Sequence, residues 1–141
     1  MEYFPNAKGI QVHEGNVYFM SKVTKTLIIL DLENMTYETE GTGKNFYGEG
    51  MFGAQPDQNL FGPTRKYIYF TKDGGTSPGV YARHGSDGTY FTMFQTIPEG
   101  MHIVDEKIGI ALSPDQRRFY AGIHDNGYTF ESTRDDGLTF E

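Results

Sequence analysis

Cysteine is absent from the 141 residues, which removes disulfides, thiolate metal sites and cysteine nucleophiles together. The compartment stays open, because a chain without thiols suits oxidising and reducing surroundings alike. Basic side chains are in short supply: 12 Lys and Arg stand against 19 Asp and Glu, a net charge of −7. A field of that sign repels nucleic acid and anionic lipid and attracts cations, so no nucleic-acid partner is expected and metal ions or basic partners suit it better. The same charge also serves plain solubility. Arg65-Lys66 and Arg117-Arg118 are too small for a nucleic-acid surface and read as solvated turn residues. Long apolar runs are missing too. The longest, Leu27 to Leu30, falls far below the roughly 20 residues of a membrane span. The start MEYFPNAKGI has neither the basic segment nor the apolar stretch of a signal peptide. The expectation is a soluble chain with no membrane span, in which any targeting segment is absent or already removed.

What is present is glycine and aromatic residues: 18 Gly, ten Tyr and eleven Phe in a chain that is 37% apolar. Short strands joined by tight turns use those residues, so the chain reads as one all-β domain. Glu14-Gly15-Asn16 is a hairpin turn. Val17 to Met20 is continuously apolar and aromatic, as in a strand buried on both faces. Leu27 to Leu32 follows, then an edge strand Thr36 to Glu40 whose Glu38 and Glu40 oppose edge pairing. Gly41 to Gly53 is a glycine-rich connection with no GK[ST] and no following helix, so it is read as a loop between units and not as a phosphate cradle. A second unit repeats the order with Gln55 to Leu60, Tyr67 to Thr71, Gly79 to Arg83 and Tyr90 to Phe94. A third comprises Ile108 to Ser113, Arg118 to Ile123, Tyr128 to Thr133 and a short Leu138 to Phe140.

Tyr18, Tyr69 and Tyr120 recur at a spacing of 51 residues. A repeat of that length built from four short strands is the size of a β-propeller blade. The spacing predicts three four-stranded blades, at about residues 7–40, 54–95 and 106–141, making half of a six-bladed propeller. Closed propellers have about four to eight blades, so completion would come from dimerisation, from a partner protein or from upstream blades. The competing reading is a tyrosine-rich β-sandwich in which the spacing is fortuitous.

In a propeller the innermost strands line the axis. Lys8, Asp57 and Glu106 lie 49 residues apart, each just ahead of an inner strand, and are expected to converge there. The third unit also admits a register that aligns Gly9 with Gly109 and sets Ile108 opposite Lys8. Carboxylates gathered at such a mouth suit calcium or another hard cation, and the candidate ligands are Asp57, Glu106, Asp105 and Asp73. Asp73-Gly74, Asp87-Gly88 and Asp136-Gly137 also fit ordinary turns, and Asp125-Asn126-Gly127 lacks the rest of a calcium loop. His13, His84, His102 and His124 show no metal-binding spacing. Among them only His102 lies in the loop leading to Asp105 and Glu106. No Gly-x-Ser-x-Gly occurs, and Ser113 belongs to an SPD turn, so no hydrolytic serine is expected. Tyr, Phe and Met side chains at the channel mouth would alternatively form a small-molecule pocket.

The segments AKGIQVHEGNVYFMSK, TLIILDL, QPDQ, YIYFTKDGGTSPGVYAR, GIALSPDQRRFYAG and GYTFESTRDDGLTFE together resemble the C-terminal half of PhoX-type alkaline phosphatases, which are six-bladed propellers. The resemblance implies phosphate-ester hydrolysis at a cluster of iron and calcium held near the axis by acidic residues and a cysteine. It places Asp57 at the position of a metal-binding Glu and Gln55 at that of a substrate-binding Arg. Gln58, on the other side of Asp57, joins Gln55 as a substrate-binding candidate. Glu106 corresponds to a retained acidic position. Lys8 and Lys72 stand where relatives carry Glu, and a protonated ammonium cannot coordinate a cation. With those changes and no cysteine, the chain alone is expected to lack the complete cluster. Calcium is then the first candidate cofactor and iron the second. The function expected is a non-catalytic structural or interaction module, and the alternative is a metal-dependent phosphoesterase that needs further blades.

Overall fold

Eleven strands in three antiparallel sheets make up the fold in the computed structural model, which describes residues 4–42, 56–62, 64–72, 79–95, 108–123 and 127–140. Sheet I contains β1 (Ala7–His13), β2 (Asn16–Ser21), β3 (Thr26–Asp31) and β4 (Thr36–Gly41). Sheet II contains β5 (Pro56–Phe61), β6 (Tyr67–Lys72), β7 (Gly79–His84) and β8 (Tyr90–Gln95). Sheet III contains β9 (Ile108–Leu112), β10 (Arg118–Ile123) and β11 (Thr129–Thr133). Each sheet pairs its strands in chain order.

Local chemistry sets the hairpins. Glu14 and Gly15 both have positive φ, 46° and 75°, the pair of conformations that matches the right-handed twist of β1 and β2. The Asp31 carboxylate accepts from the backbone N–H of Glu33 at 2.8 Å and of Asn34 at 3.0 Å, an Asx turn that reverses the chain into β4. Asp87 and Asp136 likewise cap their own turns, accepting from the N–H of Thr89 and Leu138. Ser113 and Asp115 close the SPD turn, with the Arg118 N–H donating to Ser113 Oγ at 3.0 Å. These are the ordinary turn roles that the sequence suggested.

The sheets stack face to face, and strand alternation divides the apolar residues between two cores. Each sheet has a leading face, toward the next sheet in chain order, and a trailing face, toward the previous one. Tyr18, Met20, Leu27 and Ile29 on the leading face of sheet I pack with Ile68, Phe70, Tyr81 and Tyr90 on the trailing face of sheet II. Tyr69, Val80 and Ala82 on the leading face of sheet II pack with Phe119 and Ala121 on the trailing face of sheet III. Successive meanders stacked in this way are propeller-like.

Three expectations need correction. Val17 to Met20 is not buried on both faces: Met20 is fully buried, whereas Val17 and Phe19 are only half-buried because no sheet covers the trailing face of sheet I among the described residues. Leu138 to Phe140 is not a strand. Instead the Phe140 N–H donates to the Gln116 carbonyl at 2.8 Å, and its ring packs on Phe119 with centroids 5.6 Å apart. A buried ring anchors the segment better there than a three-residue edge pairing would. Glu40 does not guard an edge. It turns toward sheet II and binds Arg83 through both carboxylate oxygens, at 2.7 to 3.1 Å.

Candidate functional site

Strand pairing fixes which inner-strand residues share a level. Ile10 lies opposite Phe19, Asn59 opposite Phe70 and Ile110 opposite Ala121. The partners Phe19, Phe70 and Ala121 keep the 51-residue spacing. Of the two registers open for the third unit, the pairing therefore adopts the one that aligns Gly9 with Gly109. Gly9, Gln58 and Gly109, the residues just before these positions, all line one open cleft of about 810 Å³ at the inner edges of β1, β5 and β9.

Two bulges shape this cleft. In β1 the register slips between Lys8 and Ile10, with Gly9 at φ +51° as the extra residue. In β5 it slips between Pro56 and Asn59. There the Gln58 N–H donates to Thr71 Oγ1 at 2.9 Å, so a side chain replaces the ladder partner that the bulge removes. A Cβ on Gly9 would lie 2.7 Å from the Asn59 amide nitrogen. That contact shows how closely β1 and β5 approach.

Of the residues anticipated from the sequence, Lys8 and Asp57 do meet, Nζ to Oδ1 at 3.9 Å. Asp57 is 7% exposed, while the Lys8 side chain is 43% exposed and reaches in from the solvent side. Gln58 lines the same cleft and is exposed. Gln55, Asp73, Asp105 and Glu106 lie outside the described residues, as do His102, His124 and Asp125-Asn126. Among the described residues no group of three His, Cys, Asp or Glu side chains comes within reach of one metal ion. His13 stacks edge-on against Phe61 and bonds to Arg65, and His84 contacts Tyr67 and Ser86. Both serve packing and turns.

Lys72 does not reach the cleft. It ends β6 opposite Pro56 and Gly79 and is 1% exposed. Burial, and then the nearby Lys25 cation, hold its ammonium below the ordinary lysine range.

Sequence reasoning missed three parts of the cleft. Gly109 was visible as an alternative register, but Tyr128, just before β11, and Thr129, its first residue, were not connected with it. Asn59 was missed as well. It is 6% exposed, its Nδ2 donates to the Tyr18 carbonyl at 3.3 Å, and its Oδ1 has no donor among the described residues. The available signal was the 51-residue spacing itself, carried from the tyrosines across the ladder to the inner strands. The lining combines one carboxylate, one ammonium, three carboxamides and bare glycine backbone with the exposed ring of Tyr128. Such a set can hold a polar ligand by hydrogen bonds.

No family model and no curated protein matches the chain. Among solved structures it is similar to the tricorn protease, with 12% identity and a TM-score of 0.53 over 89% of this chain. The chain spans 13% of that protein's length. At this identity the likeness concerns the fold alone, and it agrees with the propeller-like stacking of the sheets. No helix among the described residues is long and apolar enough to cross a membrane.

Proposed function

We propose that the chain is a non-catalytic structural or interaction module of β-propeller type, its three sheets being blades of a larger ring. The observation that carries this reading is the trailing face of sheet I. Strand alternation brings Ile10, Val12, Val17, Phe19, Ile28, Leu30 and Tyr37 onto that one face; Ile10 is 68%, Val12 63% and Tyr37 44% exposed, Val17, Phe19 and Leu30 are half-buried, and Ile28 is buried. Contiguous exposed apolar surface of this kind belongs to an association surface and not to a solvated one. The ring is completed by self-association, by a partner protein or by further blades.

A residual calcium site at Asp57, with Asp73, Asp105 and Glu106 as further ligands, is compatible with this function. The Lys8 ammonium already stands beside Asp57, so a cation there has to displace it or share the carboxylate with it. The alternative, a calcium- or iron-dependent phosphoesterase of the PhoX-like class, rests on the sequence resemblance and on Asp57 and Gln58 facing one cleft. Metal analysis of the purified chain, together with assay of a generic phosphate monoester in added calcium and iron, separates the two. The module predicts no turnover above buffer. Stoichiometric iron or calcium with turnover abolished by Asp57→Asn would overturn it.

A further inference from the structure

Both internal interfaces follow one rule: a tyrosine on the leading face of one sheet meets an aromatic ring on the trailing face of the next. Tyr18 of β2 meets Phe61 of β5 with centroids 5.0 Å apart and planes at 88°. Tyr69 of β6 meets Phe119 of β10 at 5.1 Å and 65°. Tyr120, the third residue of the series, lies on the leading face of sheet III, where no sheet follows among the described residues. Its cross-strand neighbours are Ala111 and Glu131, and the adjacent pair Gly109 and Gly122 leaves that face low beside the ring.

At the other end, the trailing face of sheet I has the opposite relief. Val17 and Phe19 occupy the positions of Ile68 and Phe70, 51 residues earlier, and Val12 lies opposite Val17 as Phe61 lies opposite Ile68. Ile68 and Phe70 are 2% and 0% exposed because sheet I covers them. Beside Val17 and Phe19 there is instead an apolar groove of about 460 Å³, walled also by Ile10 and Leu30. Phe4 folds over its outer part, edge-on to Phe19 at 5.8 Å and to Tyr37 at 5.6 Å.

We propose that the trailing face of sheet I receives the leading face of sheet III from a second copy of this chain, with Tyr120 of one copy packing on Val12 and Val17 of the other. The free faces are complementary in shape: projecting apolar side chains face a surface that is low at Gly109, Ala111 and Gly122, with the Arg118–Glu131 ion pair beside Tyr120. Tyr120 takes the place that Tyr18 and Tyr69 hold at the internal interfaces, with aliphatic Val12 and Val17 as its partners instead of a ring. Two copies related by a two-fold axis make this contact twice and close a six-bladed ring, leaving no free face. The inference rests on the module reading and specifies its partner.

The test uses Val12→Asp and Tyr120→Lys, one on each face, with mass measured by native mass spectrometry and light scattering. Both sites lie on outer faces, and circular dichroism checks that each variant keeps its strands. The wild-type chain is expected at twice 15.9 kDa. Each variant alone is expected to dissociate at least tenfold more readily, because every contact uses both faces. Mixing the two variants restores the dimer, since one contact is then native and the other pairs an Asp with a Lys. Ile10→Asp, at a second exposed trailing-face position, should behave as Val12→Asp does. A single-chain mass for the wild type overturns the proposal. So does a dimer that Tyr120→Lys leaves intact, which would mean pairing of two trailing faces, or a ladder of higher masses, which would mean stacking without closure. None of these outcomes concerns metal or turnover, so failure here is distinguishable from failure of the module reading.

Discussion

Gly9 and Asn59 pass so closely that the glycine's missing side chain is a structural requirement: a Cβ at residue 9 would stand 2.7 Å from the Asn59 nitrogen and 2.9 Å from its Oδ1. The obstacle includes backbone, which cannot swing aside, and φ at Gly9 is +51°. Gly9→Ala is therefore expected to cost about 2 kcal/mol or more, from the left-handed backbone and the clash together. Urea denaturation checks this. A loss below about 0.5 kcal/mol would mean that β1 and β5 do not approach as described.

The Glu40–Arg83 pair ties sheet I to sheet II. Burial disfavours the Arg83 charge, but the hydrogen bonds and charge of Glu40 outweigh it and keep the guanidinium firmly protonated. Its side chain is only 11% exposed, so Glu40→Ala leaves a buried cation without its main partner and is expected to cost about 3 kcal/mol. Removing both, as Glu40→Leu with Arg83→Met, should recover much of that loss. A double-mutant cycle by urea denaturation reads the coupling, and strictly additive effects would contradict the pairing.

Lys72 contributes to the pH dependence of stability. Its folded-state pKa is lowered, so the unfolded chain holds this proton more tightly, and the contribution of Lys72 to stability rises with pH toward the ordinary lysine value of 10.5. Lys72→Met keeps the stem and removes the ionisable group, so it is expected to remove this residue's share of the alkaline rise. Thermal denaturation across pH tests this, and an alkaline rise unchanged in the variant would contradict the account.

Buried tyrosines act in the opposite direction. Burial pushes Tyr69 and Tyr81 up to about 12, and Tyr90 is raised further by burial and by the Glu40 charge. The folded chain then keeps these protons where the unfolded chain releases them near 10, so their contribution to stability falls as pH climbs from 10 to 12. Ultraviolet titration of phenolate formation should show a class that ionises only on alkaline unfolding. Smooth titration of all ten tyrosines near pH 10 would contradict the two-core packing.

Much of the strand layout was legible because local chemistry dictates it: Glu14-Gly15, Asp31 and the SPD turn each fix a reversal within a few residues. The 51-residue tyrosine series also revealed that the units repeat. Less legible was anything that depends on which neighbour a face meets. Val17 and Phe19 carry the same apolar signal as Ile68 and Phe70, and only the presence or absence of a covering sheet separates half-burial from full burial. Phe140 looked like a strand residue because alternation cannot distinguish a paired edge from a buried ring. At the cleft, Lys8 and Asp57 were found from their spacing. The bulges at Gly9 and Gln58, which set the level of the inner strands, leave no pattern in sequence, since a bulge is defined by its partner strand.

The most direct measurement is the mass of the wild-type chain by light scattering over a dilution series. The account predicts a species of twice 15.9 kDa that gives way to single chains only on dilution, because the apolar face around Ile10 and Val12 is covered by a second copy. A mass of one chain at every concentration, with that face left in water, would contradict it.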